Sequence, residues 1–399
     1  MRRHPQAAAQ LLQALQQDHL RRSRRSVEGY ADPASTVQPI VDGRVRLNFC
    51  GNDYLGLARD PRLAQALATA AGQWGVGSGA SHLVTGHSRA HHELEQRLAD
   101  FTGREAALLF STGYMANVGV VSALAGRGEL VLQDRLNHAS LLDGALLSGA
   151  RLLRYRHGAV DEAERRLQGD EARGRLLATD GVFSMDGDLA PVTALAQLAQ
   201  RRNAWLLVDD AHGLGVLGAR GGGVLELAGL GSAQVPLLVG TLGKALGCSG
   251  AFVAGDRDLI DCVLQRARSY VYTTALPPAL AATAVAALDL AEAEGWRRER
   301  LATLVARFRD GARRAGLPLA DSATPIQPVV VGDPARALAA SQWLWEAGFW
   351  VTAIRAPTVP RGTERLRVTL SAAHDEAQVD ALVAALAQAL HATAGEGAA

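Results

Sequence analysis

Between residues 100 and 255 the chain alternates short apolar runs with amphipathic or Ala/Leu-rich stretches of helical length. Runs that are apolar throughout, rather than at every second position, predict strands buried on both faces. Strands are predicted at 106–110, 130–132, 151–155, 176–179, 205–208, 235–239 and 251–254, and helices between several of them over 115–124, 139–147 and 192–201. Strands interleaved with helices predict an α/β fold with a mostly parallel sheet covered on both faces. From 278 to 314 the pattern is helical, and it then changes character. Segments 327–331, 350–354 and 365–370 read as strands, with helices over 335–347 and 375–390, which predicts a smaller C-terminal α/β domain. The expected organisation is an N-terminal arm over 1–50, a large domain over 51–285 and a small domain over 286–399. The one low-complexity stretch is 392–399.

Composition narrows the function classes. With 399 residues, 48% hydrophobic and 20% charged, the chain has enough material for a large core, and its net charge of +1 sets up no global attraction to nucleic acid or membrane. Three scattered cysteines without a CxxC pair point away from a disulfide framework and from a structural zinc site. No apolar run approaches the length of a membrane span. A cytoplasmic globular enzyme is expected. The first 25 residues, ending in Arg21-Arg-Ser-Arg-Arg25, have the flavour of a transit peptide or form an arm of the fold.

One count changes the picture most. The chain has 40 arginines and a single lysine, Lys244. Arginine cannot lose its proton near neutral pH and attack a carbonyl, whereas lysine can. Lys244 stands between glycines in Gly240-Thr-Leu-Gly-Lys-Ala-Leu-Gly247, just after a predicted strand, where open α/β sheets place their ligands. Asp209, in Asp209-Asp210-Ala211-His212, follows another buried strand. A buried acid requires a cation, and a protonated pyridine nitrogen is one; the plainer role is capping a turn. The small-residue turn Phe110-Ser-Thr-Gly-Tyr-Met-Ala-Asn117 leads a strand into a helix, whose free N–H groups suit a phosphate, although such turns also occur without a ligand. Gly213-Leu-Gly-Val-Leu-Gly218 matches a dinucleotide fingerprint, but the following Ala219-Arg-Gly-Gly-Gly223 breaks the helix that the fingerprint needs. His82, His87, His91 and His92 are read as surface or pocket-wall residues, with no metal. His138 opens a helix, where its ring either stacks on a cofactor or stands as an ordinary terminal histidine.

Together these residues resemble the α-oxoamine synthases, a branch of the fold-type I pyridoxal-phosphate-dependent transferases. The match covers roughly 11–390 and includes Asn52-Asp-Tyr-Leu-Gly-Leu57, Ser111-Thr-Gly-Tyr114, Asn137-His-Ala-Ser140, Asp180-Gly-Val-Phe-Ser-Met-Asp-Gly187, Val208-Asp-Asp-Ala-His-Gly213, Gly243-Lys244 and Arg365-Leu-Arg367. It begins inside the arginine-rich arm, so a transit peptide is not expected. Pro325-Ile-Gln-Pro328 and Thr352-Ala-Ile-Arg-Ala-Pro-Thr-Val-Pro360 resemble the branch that joins L-alanine to a pimeloyl thioester in biotin synthesis. Two features depart from it: 241–247 also suits glycine-using siblings such as glycine C-acetyltransferase, and Leu214 stands where threonine is frequent.

The resemblance implies the site. Lys244 would hold pyridoxal phosphate and act as acid and base, Asp209 would bind the ring nitrogen, and His138 would stack on the ring. Ser184 and His212 would lie near the ring hydroxyl, while Ser111, Gly113, Tyr114 and Thr241 would serve the cofactor and its phosphate. Arg367, with Asn52, would grip the amino-acid carboxylate, and Arg21 and Thr358 would touch the acyl substrate. The family is dimeric, with Thr273 or Thr274 reaching the neighbour's phosphate. A regulator built on the same fold is set aside, because 1–50 is too short for a DNA-binding domain.

Overall fold

The computed structural model describes residues 5–394, so the last five residues of the low-complexity stretch lie outside it. Two compact units emerge: one holds 55–184 and 188–299, and the other holds the residues up to 54, 185–187 and those from 300 onward. The arm thus shares a unit with the C-terminal segment. Leu47–Asn48 pairs in parallel with Phe349–Trp350 and joins the two in one sheet.

The first unit is built on a seven-stranded sheet. Its strands are β1 (Ala106–Phe110), β2 (Leu130–Asp134), β3 (Arg151–Tyr155), β4 (Arg175–Asp180), β5 (Trp205–Asp209), β6 (Leu237–Thr241) and β7 (Ala251–Gly255). Their order is β1-β7-β6-β5-β4-β2-β3. Only β7 runs against the rest. Alternate residues of an inner strand feed two separate cores, which is why the inner strands carry apolar runs. Val131, Leu176, Ala178, Leu207, Leu237 and Val239 pack with Val120, Leu141 and Val263 on one face. Leu130, Leu132, Leu177, Leu206, Val208 and Leu238 pack with Leu167, Leu195 and Leu198 on the other. Each fully buried leucine contributes roughly 1.5–3 kcal/mol.

Four polar residues gather at one end of the sheet. Asp134, Asp180, Asp209 and Thr241 end β2, β4, β5 and β6, all at the carboxyl ends of parallel strands. Close helix packing places one further group beside them. Helices Gly113–Leu124 and Ala139–Ser148 approach through Gly144, where a Cβ would lie 3.1 Å from the Asn117 carbonyl oxygen.

The other unit carries a three-stranded antiparallel sheet with Arg365–Thr369 between Ile326–Val330 and Thr352–Ile354, together with helices Pro334–Glu346 and Glu376–Ala392. The helical stretch expected over 278–314 is two helices, Pro278–Ala293 and Trp296–Arg314, interrupted at Glu294 and Gly295. No helix among the described residues is long and apolar enough to cross a membrane.

Of the four histidines read as surface or pocket-wall residues, His87 and His92 are exposed and the other two are not. His82 and His91 are buried. His82 stacks on Tyr270 at 4.9 Å, and its Nδ1 lies 3.0 Å from Nδ1 of His87. His91 is committed at both nitrogens: Nδ1 accepts from the Ser88 amide, and Nε2 donates to the Leu276 carbonyl. Burial lowers the His82 pKa to about 3, assisted by its histidine neighbours, so His82 is held neutral.

Candidate active site

A cavity of about 210 Å³ opens at the carboxyl ends of β4, β5 and β6. Gly113, Tyr114, His138, Ser184, Asp209, His212, Thr241 and Lys244 line it, with Asn117 and Asp180. Eight residues singled out from the sequence therefore share one cavity, although they span 132 positions of the chain (244 minus 113, plus one).

Two acids stand at its floor. Asp209 is 7% exposed, and its register partner on β4 is Asp180. The Asp209 carboxylate accepts from the Asn117 side-chain amide at 2.5 Å and from the Ala211 N–H at 3.0 Å. Asp180 accepts from the His138 backbone N–H through both oxygens, at 3.2 and 3.1 Å. Burial raises the Asp180 pKa well above the carboxylate range, and repulsion from Asp209 adds to it. Two close acids with opposed environments divide the work: one is pushed towards its neutral form, and the other is oriented by two donors.

Lys244 lies in the loop after β6, with Nζ 2.9 Å from Nε2 of His212. His138 caps helix Ala139–Ser148, and its Nδ1 accepts from the Ser140 N–H at 3.3 Å and lies 2.7 Å from the Ser140 hydroxyl. Burial lowers the His138 pKa, partly offset by Asp209. Opposite, Thr112 caps helix Gly113–Leu124 by accepting from the Met115 N–H, and the first-turn N–H groups of Gly113 and Tyr114 have no intrahelical acceptor by construction. Such a helix start attracts an anion.

Two acids, an amine, a flat ring and a helix start fit a ring cofactor with a basic nitrogen, a carbonyl and a phosphate. Asn117 supplies a further polar atom, since its buried Oδ1 has no hydrogen-bond partner among the described residues. The glycine-rich 213–223 stretch runs through turns into a helix of only four residues, Val224–Leu227, whose N-cap is Gly223. A Cβ at Gly213 or Gly223 would overlap the Asp210 carboxyl, which accepts from the Val224 N–H at 2.6 Å.

Not every expected residue lines the cavity. Ser111 precedes the helix cap but is not in the lining, and Thr273 and Thr274 follow helix Arg268–Val271 outside it. The candidate substrate residues lie in the other unit. There Arg367 is 6% exposed and donates both guanidinium nitrogens to Asn52 Oδ1, at 3.3 and 3.2 Å. Arg22, rather than Arg21, donates to Thr358 Oγ1, at 3.1 Å. Sequence reading passed over Asn117 and Asp180. The signal for Asp180 was present, since it ends a buried strand just as Asp209 does.

The family model for class I and II aminotransferases matches residues 44–386. An 8-amino-7-oxononanoate synthase of Alkalilimnicola ehrlichii is 64% identical over 350 residues, which are 88% of this chain and 90% of that one. Among solved structures, a serine palmitoyltransferase with pyridoxal phosphate superposes with a TM-score of 0.91 at 32% identity over 97% of both chains. An 8-amino-7-oxononanoate synthase of Francisella tularensis superposes with a TM-score of 0.77 at 28% identity, over 87% of this chain and 98% of that one. The fold is therefore that of the fold-type I pyridoxal-phosphate enzymes, and the chain belongs to the class I and II aminotransferase family, in the group of the 8-amino-7-oxononanoate synthases.

Proposed function

We propose that the chain condenses L-alanine with a pimeloyl thioester, releasing the thiol and CO2 and forming 8-amino-7-oxononanoate, as a pyridoxal-phosphate-dependent acyltransferase of cytoplasmic biotin synthesis. The observation that supports this most is the convergence of Lys244 and Asp209 in one cavity with a helix start beside them. The bound cofactor supplies an electron sink for the charge left when the amino acid's Cα–H bond breaks.

The chain's own groups do the rest. Lys244 Nζ would hold the cofactor and, as a free amine, would take the Cα proton and later return one. His212, 2.9 Å away, keeps that amine in place and, with Ser184, would serve the ring hydroxyl of the bound cofactor. Asp209 keeps the ring nitrogen protonated, oriented by Asn117. His138, held by Asp180 and Ser140, would stack on the cofactor ring. Gly113, Tyr114 and Thr241, with Ser111 next to the helix cap, receive the phosphate, and Thr273 or Thr274 reaches that of a second subunit in a homodimer. Arg367, its fork held by Asn52, binds the amino-acid carboxylate, while Arg21 and Thr358 contact the acyl chain.

Arg367→Ala is expected to raise the KM for L-alanine by about 10²-fold, the scale for truncating one partner of a buried charge pair. Steady-state kinetics checks this, and an unchanged alanine affinity removes Arg367 from the site. The reaction itself is tested with carboxyl-labelled L-alanine and pimeloyl-CoA. The label should leave as CO2 in step with thiol release; a product that keeps the label rejects the condensation.

A further inference from the structure

We infer that His157 is a positioning residue for the cofactor site, its ring tying the turn that carries His138 to the hairpin that carries Ser184. The inference rests on the function proposed above, and it concerns a residue that touches neither substrate nor cofactor.

His157 stands two residues beyond β3. Its Nδ1 is 3.2 Å from Asp134 Oδ1, and its Nε2 is 2.8 Å from Asp188 Oδ2. Carboxylate oxygens only accept, so both ring nitrogens carry protons and the ring is a cation. Burial opposes that charge, but the bonds to Asp134 and Asp188 outweigh it and raise the pKa to about 10. The ring edge meets Phe183 at 4.3 Å and 87°.

Each carboxylate belongs to a segment that shapes the cavity. Asp134 ends β2 and also accepts from the Leu136 and Gly158 N–H groups, which fixes the start of the turn leading to Asn137 and His138. Asn137 in turn accepts from the Asp180 N–H and donates to the Ala178 carbonyl. Asp188 closes a hairpin in which Val182 pairs with Leu189 and the Phe183 N–H donates to the Asp188 carbonyl. Ser184 lies within that hairpin and lines the cavity. Asp188 Oδ1 is buried with no hydrogen-bond partner among the described residues, so His157 is the cation facing this carboxylate. Tyr155 and Asp180 also interact electrostatically with Asp134, and neither supplies positive charge.

The charge gives a pH signature. A histidine whose pKa is raised on folding stabilises fully below its unfolded value of 6.5 and loses that stabilisation as pH rises through about 10. The Tm difference between the wild type and His157→Gln should therefore be largest near pH 6 and shrink steadily on approach to pH 10.

A purely structural brace would show that signature and nothing more, so the cofactor decides. In the holoenzyme, His157→Gln should raise the Kd for pyridoxal phosphate by about tenfold and shift the pH dependence of its visible absorbance. Adding Asp188→Asn, which removes the orphaned charge, should restore most of the affinity. In a Ser184→Ala background the His157→Gln effect should shrink, because both changes act through one hairpin. A wild-type Kd and absorbance in His157→Gln, or full additivity with Ser184→Ala, overturns the inference and leaves the proposed function intact. A wild-type chain that does not bind pyridoxal phosphate overturns that function, and the inference with it.

Discussion

Replacing Lys244 with alanine is expected to lower turnover by about 10⁴-fold or more, since one nitrogen serves as the cofactor's attachment and as the acid–base group. Nothing else among the cavity residues can substitute. His212 is the nearest basic group, but it meets Lys244 through Nε2 and cannot attack a carbonyl as an amine does. Lys244→Arg is as informative, because this chain uses arginine at its 40 other cationic Lys/Arg positions. A cation at 244 would be preserved, and activity should still be lost. Hydride reduction followed by peptide mass analysis checks the attachment: the wild type should carry the cofactor on Lys244, and neither variant should carry it covalently. Either variant retaining a tenth of the wild-type rate would remove Lys244 from its role.

Asp209→Asn is expected to cost about 10²–10³-fold in turnover, the scale for losing one preorganised electrostatic group. Asparagine's single oxygen can keep the hydrogen bond from the Ala211 N–H, but its NH2 replaces the oxygen that accepts from the Asn117 side-chain amide, so the substitution removes the charge and that one bond. The neighbouring Asp180 reports the change independently. Its pKa is raised first by burial and then by Asp209, so removing the Asp209 charge should bring it down. Carbonyl-edited NMR of the two carboxyls would follow this, alongside steady-state rates. Asp209→Glu retains the charge and should recover part of the activity. Equal rates for Asp209→Asn and wild type would mean that the ring nitrogen needs no anion here.

Six of the seven strands were legible because burial on both faces writes an apolar run; the edge strand β3 carries Arg151 and Arg154 and is only partly buried. Their carboxyl ends were less so. Strands expected over 130–132, 176–179, 205–208 and 235–239 end instead at Asp134, Asp180, Asp209 and Thr241. An apolar run stops at the first polar residue, whereas the strand continues through it when that residue serves a site. The same bias hid Asn117, which sits on an otherwise apolar helix face and becomes meaningful only once Asp209 lies 2.5 Å away. His157 was invisible for a different reason. Its two partners are 23 and 31 positions distant, and no local pattern records that they meet around one ring. The chemistry was nonetheless readable, because a chain with one lysine marks the position where arginine would not serve.

The central claim is the identity of the two substrates, and thiol release by the pyridoxal-phosphate-loaded protein tests it most directly. One assay offers L-alanine with pimeloyl-CoA, the other glycine with acetyl-CoA. Release with the first pair, and little with the second, is the predicted result. Release with glycine and acetyl-CoA alone would contradict it, keeping the cofactor and Lys244 but assigning the chain the chemistry of a glycine C-acetyltransferase.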